Sequence, residues 1–400
     1  MSWPTVKLDE LCKMNSGGTP SRSNLTFYSG HIPWAKISDI ESASGGIITD
    51  TEEHLTDSGL SSINNRIFEP GTLLLAMYGS VGKVAFAGIK MSTNQAILGI
   101  RIIDEQILNY SYLKYWFQTI KNQLLDRAVG GTLQNISLGI VKDLEIPLPT
   151  LETQKRIADI LDAADALRQK DQELLKKYDE LAQAIFIDMF GDPVKNEKGW
   201  EVKLFDEFIE YIGDIGSNGS NEVIAKNLKM LDEEDFAIMV RTTNLAKDDF
   251  TNNVKYVSKE TYSFFKKSKI FGGEIIMNKI GSAGDFWIMP YLNKPVSLGL
   301  NQLVIRLKNL NTKFLYYYLS TPYGKQIIKS SVNGAVTKSI TKRAVKNLPI
   351  LYPNILLQED FEKRIHHLES LLNNTLNSSN KSEKIFISLL QIAFKGELVS

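Results

Sequence analysis

The hydrophobic pattern of the chain predicts short buried strands and two long amphipathic helices. Residues 71–77 form an apolar run bounded by glycines, which is typical of a buried strand. The run leads into Gly79-Ser80-Val81-Gly82-Lys83, which predicts a tight turn with exposed backbone amides. A short polar loop on a rigid strand is suited to recognition, although the same glycines could simply close a hairpin.

The first long helix is predicted by apolar residues that recur every three or four positions from Ile157 onward. This is the heptad spacing of a coiled coil, and a helix of roughly 33 residues would be on the order of 50 Å long. Asp171 alone interrupts the predicted apolar seam. The seam consists of Ile157, Ile160, Ala164, Leu167, Leu174, Tyr178, Leu181 and Ile185.

A second helix is predicted after Gln358, where the same spacing continues to Ala393. Its centre, from Asn373 to Ser382, is polar. The helix is therefore bent or weakly packed there, or it turns at residues 377–380. The first helix of the same chain is the expected partner, and helices of another subunit are the alternative.

These landmarks belong to an internal repeat, because a second set follows the first in the same order. The glycine that opens the strand, Gly71, recurs as Gly273 at an offset of 202 residues. The period is too long for a solenoid and indicates duplication of a whole unit. The matched segments are Trp3 to Leu8 with Trp200 to Leu204, Gly71 to Ser80 with Gly273 to Ser282, Asn94-Gln95 with Asn301-Gln302, Tyr112 to Phe117 with Phe314 to Leu319, Gly131-Thr132 with Gly334-Ala335, and Pro149 and Gln154 with Pro353 and Gln358.

Prolines mark the end of each globular part, since the residue before a proline disfavours helix. They lie at Pro147, Pro149 and Pro349, just before the two predicted helices. The sequence therefore predicts four segments. These are a globular unit at 1–150, a helix at 151–192, a second globular unit at 193–353 and a C-terminal helix at 354–400.

Composition is that of an ordinary globular protein, with 400 residues and 43% hydrophobic content. The single cysteine, Cys12, excludes a disulfide framework and the common zinc spacings, and no signal-peptide pattern or long apolar run is present. We therefore expect a cytoplasmic protein. The formal net charge is zero, but residues 1–150 carry a net charge of −2 and residues 201–350 one of +6. The second unit could therefore present a basic surface, or only a solvated lysine-rich one.

Catalytic motifs are missing from the sequence. No dinucleotide fingerprint follows a strand, and Gly82-Lys83 lacks the rest of a phosphate loop. The four histidines have no metal-ligand spacing. Asp192, Glu201 and Lys203 have the order of a metal-dependent nuclease site, but Lys203 matches Lys7 of the first copy, where no carboxylate pair is present.

Taken together, the motifs resemble those of the specificity subunit of type I restriction-modification systems. The resemblance covers essentially the whole chain, and the order of the motifs, kept twice, makes it specific. The segments that carry it are Gly17-Gly-Thr-Pro-Ser21, Ile32-Pro-Trp-Ala-Lys-Ile-Ser-Asp39, Tyr78-Gly-Ser80, Ser92-Thr-Asn-Gln95, Gly130-Gly-Thr-Leu-Gln-Asn-Ile-Ser137, Ile146-Pro-Leu-Pro-Thr-Leu-Glu-Thr-Gln-Lys-Arg-Ile157 and Met189-Phe-Gly-Asp192.

The resemblance implies an α+β fold in which two α/β target recognition domains are separated by two long antiparallel coiled-coil helices, with a pseudo-twofold internal repeat. Each domain would read one half of a split site on double-stranded DNA, and helix length would set the spacer. Methyltransferase subunits would dock on the helices, and a restriction subunit would join for cleavage. The chain itself would be non-catalytic and bind no cofactor, because S-adenosylmethionine, ATP and Mg²⁺ are expected on those partners.

Candidate DNA-contacting residues follow from their side-chain chemistry. Lys and Arg contact phosphates, whereas Asn, Gln, Ser, Thr and Arg read base edges. The predicted first reading surface consists of Thr19, Ser21, Arg22, Lys36, Tyr78, Ser80, Lys83, Thr132 and Gln134. The predicted second reading surface consists of Arg241, Thr242, Asn244, Lys279, Ser282, Thr337 and Lys338.

Two other functions remain open at this point. The chain could be a non-catalytic scaffold whose globular units bind protein, or a nuclease that uses Asp192. A scaffold would show no preference for a DNA sequence, and a nuclease would lose activity when Asp192 is changed to Ala.

Overall fold

The structure of the chain is a computed structural model that describes residues 3–43, 46–126 and 135–399. The chain divides into two compact units. The first unit comprises Met1–Leu175 and Asn374–Ser400, and the second comprises Lys176–Asn373. Each long helix therefore contributes one half to each unit.

In its described residues the first unit is built from ten strands, six short α-helices and one half each of the long helices α7 and α14. The strands are β1 (Thr5–Lys7), β2 (Cys12–Ser16), β3 (Tyr28–Ala35), β4 (Ile47–Ile48), β5 (Glu53–Leu55), β6 (Leu73–Ala76), β7 (Val84–Ala87), β8 (Ser92–Thr93), β9 (Ile97–Ile102) and β10 (Glu145–Pro147). The helices are α1 (Leu8–Leu11), α2 (Ile37–Ser42), α3 (Asp57–Ser62), α4 (Tyr110–Thr119), α5 (Lys121–Asp126), α6 (Leu138–Lys142) and the long α7 (Leu151–Phe190), which continues into the second unit.

The second unit contains a matching series, ending in the long helix α14. Its strands are β11 (Glu201–Leu204), β12 (Ile209–Gly213), β13 (Ala237–Val240), β14 (Lys255–Val257), β15 (Lys269–Ile270), β16 (Ile275–Asn278), β17 (Phe286–Ile288), β18 (Val296–Leu298), β19 (Gln302–Leu307) and β20 (Pro349–Tyr352). Its helices are α8 (Asn221–Asn227), α9 (Thr242–Lys247), α10 (Lys259–Phe264), α11 (Thr312–Ser320), α12 (Pro322–Ser330), α13 (Lys342–Lys346) and α14 (Ile355–Phe394).

Sheet topology confirms the internal repeat. In the first unit the strand orders are β2-β9-β6-β7-β4 and β5-β3-β8, with β1 paired to β10. In the second they are β12-β19-β16-β17 and β14-β13-β18-β15, with β11 paired to β20. The antiparallel pairs β6·β9 and β16·β19 hold equivalent positions, and so do the parallel pairs β3·β8 and β13·β18. The α+β fold predicted from the sequence is therefore confirmed in each copy.

A buried glutamine joins each long helix to its own globular part. The side-chain amide of Gln154 accepts a hydrogen bond from the Asn109 backbone N–H at 2.9 Å and donates to the carbonyls of Ile107 and Pro149, both at 2.9 Å. In the second unit Gln358 accepts from the Asn311 backbone N–H at 2.9 Å and donates to the Pro353 carbonyl at 2.8 Å. Both glutamines are fully buried, so these landmark residues hold the start of each helix against the globular part.

In the first unit, the N-terminal half of α7 packs with the C-terminal half of α14 against α4. Leu161, Tyr115 and Phe386 share one buried core, and the Tyr115 and Phe386 rings meet edge to face at 6.0 Å. In the second unit, the other halves of the same helices pack against α11. Phe186 lies 5.7 Å from Phe314 and 5.6 Å from Phe361, measured between ring centroids. The helices are therefore antiparallel, as predicted.

The polar interruptions of the two helices pair with each other. Asp171 is buried and accepts hydrogen bonds from the hydroxyl groups of Ser382 at 2.9 Å and of Ser378 at 3.3 Å. Since α14 is continuous from Ile355 to Phe394, the turn considered at residues 377–380 does not form. The polar centre of α14 is thus a matched hydrogen-bonded contact with α7.

The predicted seam of α7 is wrong in phase. Ile157 is buried as predicted, but Ile160, Leu167 and Leu174 are 38%, 51% and 43% exposed. The buried side of the helix in this unit carries Leu161 instead. The reason is that α7 packs against both α4 and α14, and heptad spacing alone does not show which apolar residues face these two helices.

Candidate nucleic-acid interface

Each unit ends its central strand in the tight turn that the sequence predicts. Gly82 donates its backbone N–H to the Ala76 carbonyl at 3.1 Å, and the equivalent Gly284 donates to Asn278 at 2.9 Å. At the start of these turns Gly79 has φ +71° and Gly281 has φ +87°, a left-handed conformation that favours glycine. The two turns therefore share one backbone geometry while carrying different side chains.

Beside the first turn, Glu41 of α2 gathers two of the predicted residues. Its carboxylate accepts a hydrogen bond from the Ser80 hydroxyl and an ion-pairing bond from Lys83 Nζ at 2.9 Å. These two bonds, with that of Ser80 the stronger, hold the pKa of the Glu41 carboxyl below its usual range. Tyr78, the residue before the turn, is 40% exposed. The segment thus presents a partly exposed aromatic ring, and the charge of its lysine is already balanced by Glu41.

A second cluster in the first unit forms around Glu53 of β5. Arg22 donates to both carboxylate oxygens at 2.6 and 3.3 Å, and Lys36 Nζ donates at 2.8 Å. The bond from Arg22 is the main cause that keeps the pKa of the Glu53 carboxyl low. The Arg22 guanidinium also lies over the rings of Tyr28 and Trp34, at 4.6 and 5.0 Å from their centroids. Stacking and a bidentate bond fix this arginine in one orientation.

The remaining predicted residues of the first surface are Thr19, Ser21, Thr132 and Gln134. The Thr19 hydroxyl donates to the side-chain carbonyl of Gln95, and the Ser21 hydroxyl lies 2.8 Å from that of Ser23. Thr132 and Gln134 lie outside the described residues. The structure therefore brings Arg22 together with Lys36, and Ser80 together with Lys83, in two carboxylate-centred groups.

In the second unit, predicted residues converge on buried Asn278 at the end of β16. The Thr242 hydroxyl donates to the Asn278 side-chain oxygen at 2.7 Å, and the Asn278 amide donates to the Ser282 hydroxyl at 2.8 Å. Asn244 caps the start of α9 by accepting a bond from the Arg241 backbone N–H at 3.2 Å. One polar network thus connects the ends of two sheets.

The loop with Thr337 and Lys338 is attached to the second turn by backbone hydrogen bonds. Gly281 donates its N–H to the Lys338 carbonyl at 3.1 Å, and Ile340 donates to the Lys279 carbonyl at 2.9 Å. Thr337 and Lys338 are exposed, and the neighbouring Val336 is 97% exposed. The loop and the turn therefore form one continuous edge.

Lys279 belongs to a group that the sequence did not reveal. Its Nζ lies 2.7 Å from Asp214 Oδ2, and Nζ of Lys342 lies 2.7 Å from Asp214 Oδ1. Although burial alone would raise it, bonds from Lys279, Lys342 and Ser217 hold the pKa of the Asp214 carboxyl well below its usual range. The carboxylates Glu41, Glu53 and Asp214 were missed because they are far from their cations along the chain and follow no motif.

The candidate nuclease residues do not form a catalytic group. Lys203 Nζ pairs with its near neighbour Glu201 at 3.2 Å, and the Asp192 carboxylate accepts the backbone N–H of Val194 at 2.9 Å. In the described ranges, no three His, Cys, Asp or Glu side chains are arranged to hold a metal ion. Nor does any helix of the described part have the length and apolarity needed to span a membrane.

Comparison with known proteins gives one consistent result. The family model described as the type I restriction modification DNA specificity domain matches residues 1–177 and again residues 197–385. The chain is similar to the MjaIX specificity subunit of Methanocaldococcus jannaschii, with 26% identity over 99% of this chain and 93% of that protein. It is also similar to the EcoBI specificity subunit of Escherichia coli, with 21% identity over 100% and 87% of the two chains.

Solved structures have a similar fold. The crystal structure of the type I restriction-modification S subunit from M. genitalium matches with a TM-score of 0.56 and 16% identity, over 98% of this chain and 96% of that one. A chain from a study of complex assembly and conformational transition of the type I R-M system matches with a TM-score of 0.52 and 17% identity, over 99% and 98%. At this identity the likeness concerns the fold.

Proposed function

The chain belongs to the family of type I restriction-modification DNA specificity domains, and on this basis we propose that it is the sequence-reading subunit of a type I restriction-modification complex. Each unit reads one half of a bipartite site on double-stranded DNA. The part that this chain plays is recognition, and the chemistry takes place on partner subunits. Its single cysteine and its DNA substrate suit the cytoplasm.

The observation that carries the proposal is the duplication itself. The DNA-specificity family model matches both copies, and both copies end their central strand in the same glycine turn. The side chains on the two turns differ, since Tyr78 and Lys83 of the first correspond to Ile280 and Asp285 of the second. Two heads that read different DNA sequences require the same backbone fold with different side chains at the reading surface.

Within each head, we assign different tasks to the cations and to the neutral polar groups. Lys and Arg fix the position of the protein on the phosphates, whereas hydroxyl and amide groups discriminate between base edges. Thr337 and the neighbouring Val336 are suited to base edges, because they are exposed at the rim beside the turn. A valine methyl group could contact the methyl group of thymine.

The helices provide the site for the methyltransferase subunits. Ile160, Leu167 and Leu174 are spaced by seven residues on α7 and are all exposed within the first unit. An exposed apolar row at heptad spacing is suited to an added helix. The restriction subunit joins this complex for cleavage, and S-adenosylmethionine, ATP and Mg²⁺ act on those partners.

The function can be tested by mapping methylation. The chain is expressed with its methyltransferase subunits in a host that lacks other adenine methylation, and methylated adenines are located across the genome. We expect one bipartite motif with a gap of fixed length. Methylation without sequence preference would favour a scaffold, and a single continuous motif would contradict two separate heads.

A further inference from the structure

Two lysines in the second unit share a single buried carboxylate. Asp214 is only 6% exposed and lies directly after β12. Its two oxygens accept one bond each from Lys279 and Lys342 at 2.7 Å. Its third polar neighbour, Ser217, donates to Oδ1 at 2.8 Å. The two ammonium groups are therefore held side by side by one acid.

Within the part of the chain that the structure describes, the charge of this group is not balanced. Two ammonium groups on one carboxylate leave a net charge of +1. An ammonium group has three N–H donors, and Lys342 uses two of them, on Asp214 and on Ser217 at 2.7 Å, while Lys279 uses one. Among the described residues, these are the only hydrogen bonds of the two ammonium groups. Both lysines are partly exposed, so the free donors can reach a ligand.

The group of Asp214, Lys279 and Lys342 lies at the proposed reading edge. Lys279 lies two residues before Gly281, which starts the turn, and its carbonyl accepts the backbone N–H of Ile340 from the loop with Thr337 and Lys338. The surrounding sequence is strongly basic, because residues 301–350 contain nine Lys or Arg and no Asp or Glu. Three of these cations are paired with acids, namely Arg306 with Glu274, Lys313 with Glu369 and Lys346 with Asp206, so any attraction of an anion to this edge comes from the remaining ones.

We propose that Lys279 and Lys342, held together by Asp214, form a binding site for one phosphate of the DNA backbone at the second head. This inference rests on the proposed function and adds two residues to it, Lys342 as a phosphate contact and Asp214 as a positioning residue. The buried carboxylate fixes both ammonium groups before DNA arrives, so less side-chain freedom is lost on binding.

Among the described residues of the first unit, no equivalent group is found. The strand that corresponds to β12 is β2, and it is followed by Gly17 and Gly18 with no carboxylate. Its paired cations, Arg22 and Lys36, face two acids, since Lys36 also bonds Glu52 at 2.7 Å. That cluster is neutral as a whole. The excess charge therefore distinguishes the second head from the first.

The test measures DNA affinity of the assembled complex as a function of salt. Lys342→Met should weaken binding to specific and non-specific DNA alike by about 5-fold, which corresponds to about 1 kcal/mol. The slope of log affinity against log salt should become shallower by about 0.9, the value for one lost phosphate contact. Lys346→Met is the matched control, because Lys346 lies on the same helix α13 but is balanced one to one by Asp206 at 2.9 Å.

The Asp214→Asn variant distinguishes a positioning role of the carboxylate from a purely electrostatic effect of its charge. If the carboxylate positions the lysines, its loss weakens DNA binding even though a negative charge has been removed. Binding that stays equal or becomes tighter in Asp214→Asn would overturn the positioning role, and an unchanged salt slope in Lys342→Met would overturn the phosphate site. A parent complex without any preference for its own DNA site would instead refute the proposed function, and this inference with it.

Discussion

The contact between Asp171 and Ser382 makes a quantitative prediction about the pairing of the two long helices. Asp171 is buried on α7, and its carboxylate accepts the Ser382 hydroxyl at 2.9 Å and the more distant Ser378 hydroxyl at 3.3 Å. Ser382→Ala removes the shorter bond and leaves a buried carboxylate with one long hydrogen bond from Ser378. A hydrogen bond to a charged group contributes about 2 kcal/mol, so the first unit should lose about that much stability.

Replacing both partners should cost far less than the single change. In the double variant Asp171→Leu with Ser382→Ala, no buried charge remains, and two apolar side chains take its place. Such replacements are often neutral or stabilising. The polar pair would then serve mainly to fix the register of the helices, as single buried polar residues do in coiled coils.

Thermal unfolding of the chain measures these changes. A loss of about 2 kcal/mol should lower the melting temperature of the first unit by roughly 4–8 °C. Ser388→Ala is the control, because Ser388 is exposed on the same helix, and it should melt like the parent. A Ser382→Ala variant that melts like the parent, or a double variant less stable than Ser382→Ala, would contradict this role of the buried pair.

Three further predictions concern other parts of the chain. Gln154→Leu leaves one buried and two part-buried backbone groups without their partner and should destabilise the first unit by about 3 kcal/mol, whereas Gln358→Leu should act on the second unit; calorimetry that shows both variants affecting the same transition would refute this. Folding lowers the pKa of the Asp214 carboxyl, so its ionised form stabilises the second unit at pH values above its usual pKa of about 3.9. This stability is lost as the pH falls below that usual pKa and through the lowered one. Asp214→Asn should therefore show a shallower acid denaturation curve than the parent, and parallel curves would contradict the coupling. Leu174→Lys should abolish co-purification with the methyltransferase subunits without lowering the melting temperature. Leu25→Lys, on a leucine that is 80% exposed and lies outside the two long helices, should leave assembly intact; full assembly of Leu174→Lys would argue against the docking row.

The repeat was predictable from the sequence because its landmarks have local physical causes. Glycines that need a left-handed backbone, such as Gly79 and Gly281, keep their identity in both copies. Gln154 and Gln358 keep theirs because each satisfies backbone groups at the start of a helix. Residues of this kind are visible in one sequence, since few other residue types fit the same local geometry as well.

The phase of α7 and the ion-pair clusters could not be predicted in the same way. Which apolar row of α7 is buried depends on α4 and α14, and Leu161 rather than Ile160 turned out to face them. The carboxylates that organise the candidate interface meet their cations across long separations, as Asp214 does with Lys342. Such contacts depend on the fold as a whole, and a periodic pattern carries no information about them.

The central claim is that each head reads its own half of the DNA site, and a domain exchange tests it most directly. Residues 1–150 are replaced by the corresponding unit of another family member, the complex is assembled, and the methylated motif is mapped. We predict that one half of the motif changes while the other half and the gap stay the same, with the opposite half changing when residues 193–353 are exchanged. An unchanged motif, or a change in both halves, would contradict the account.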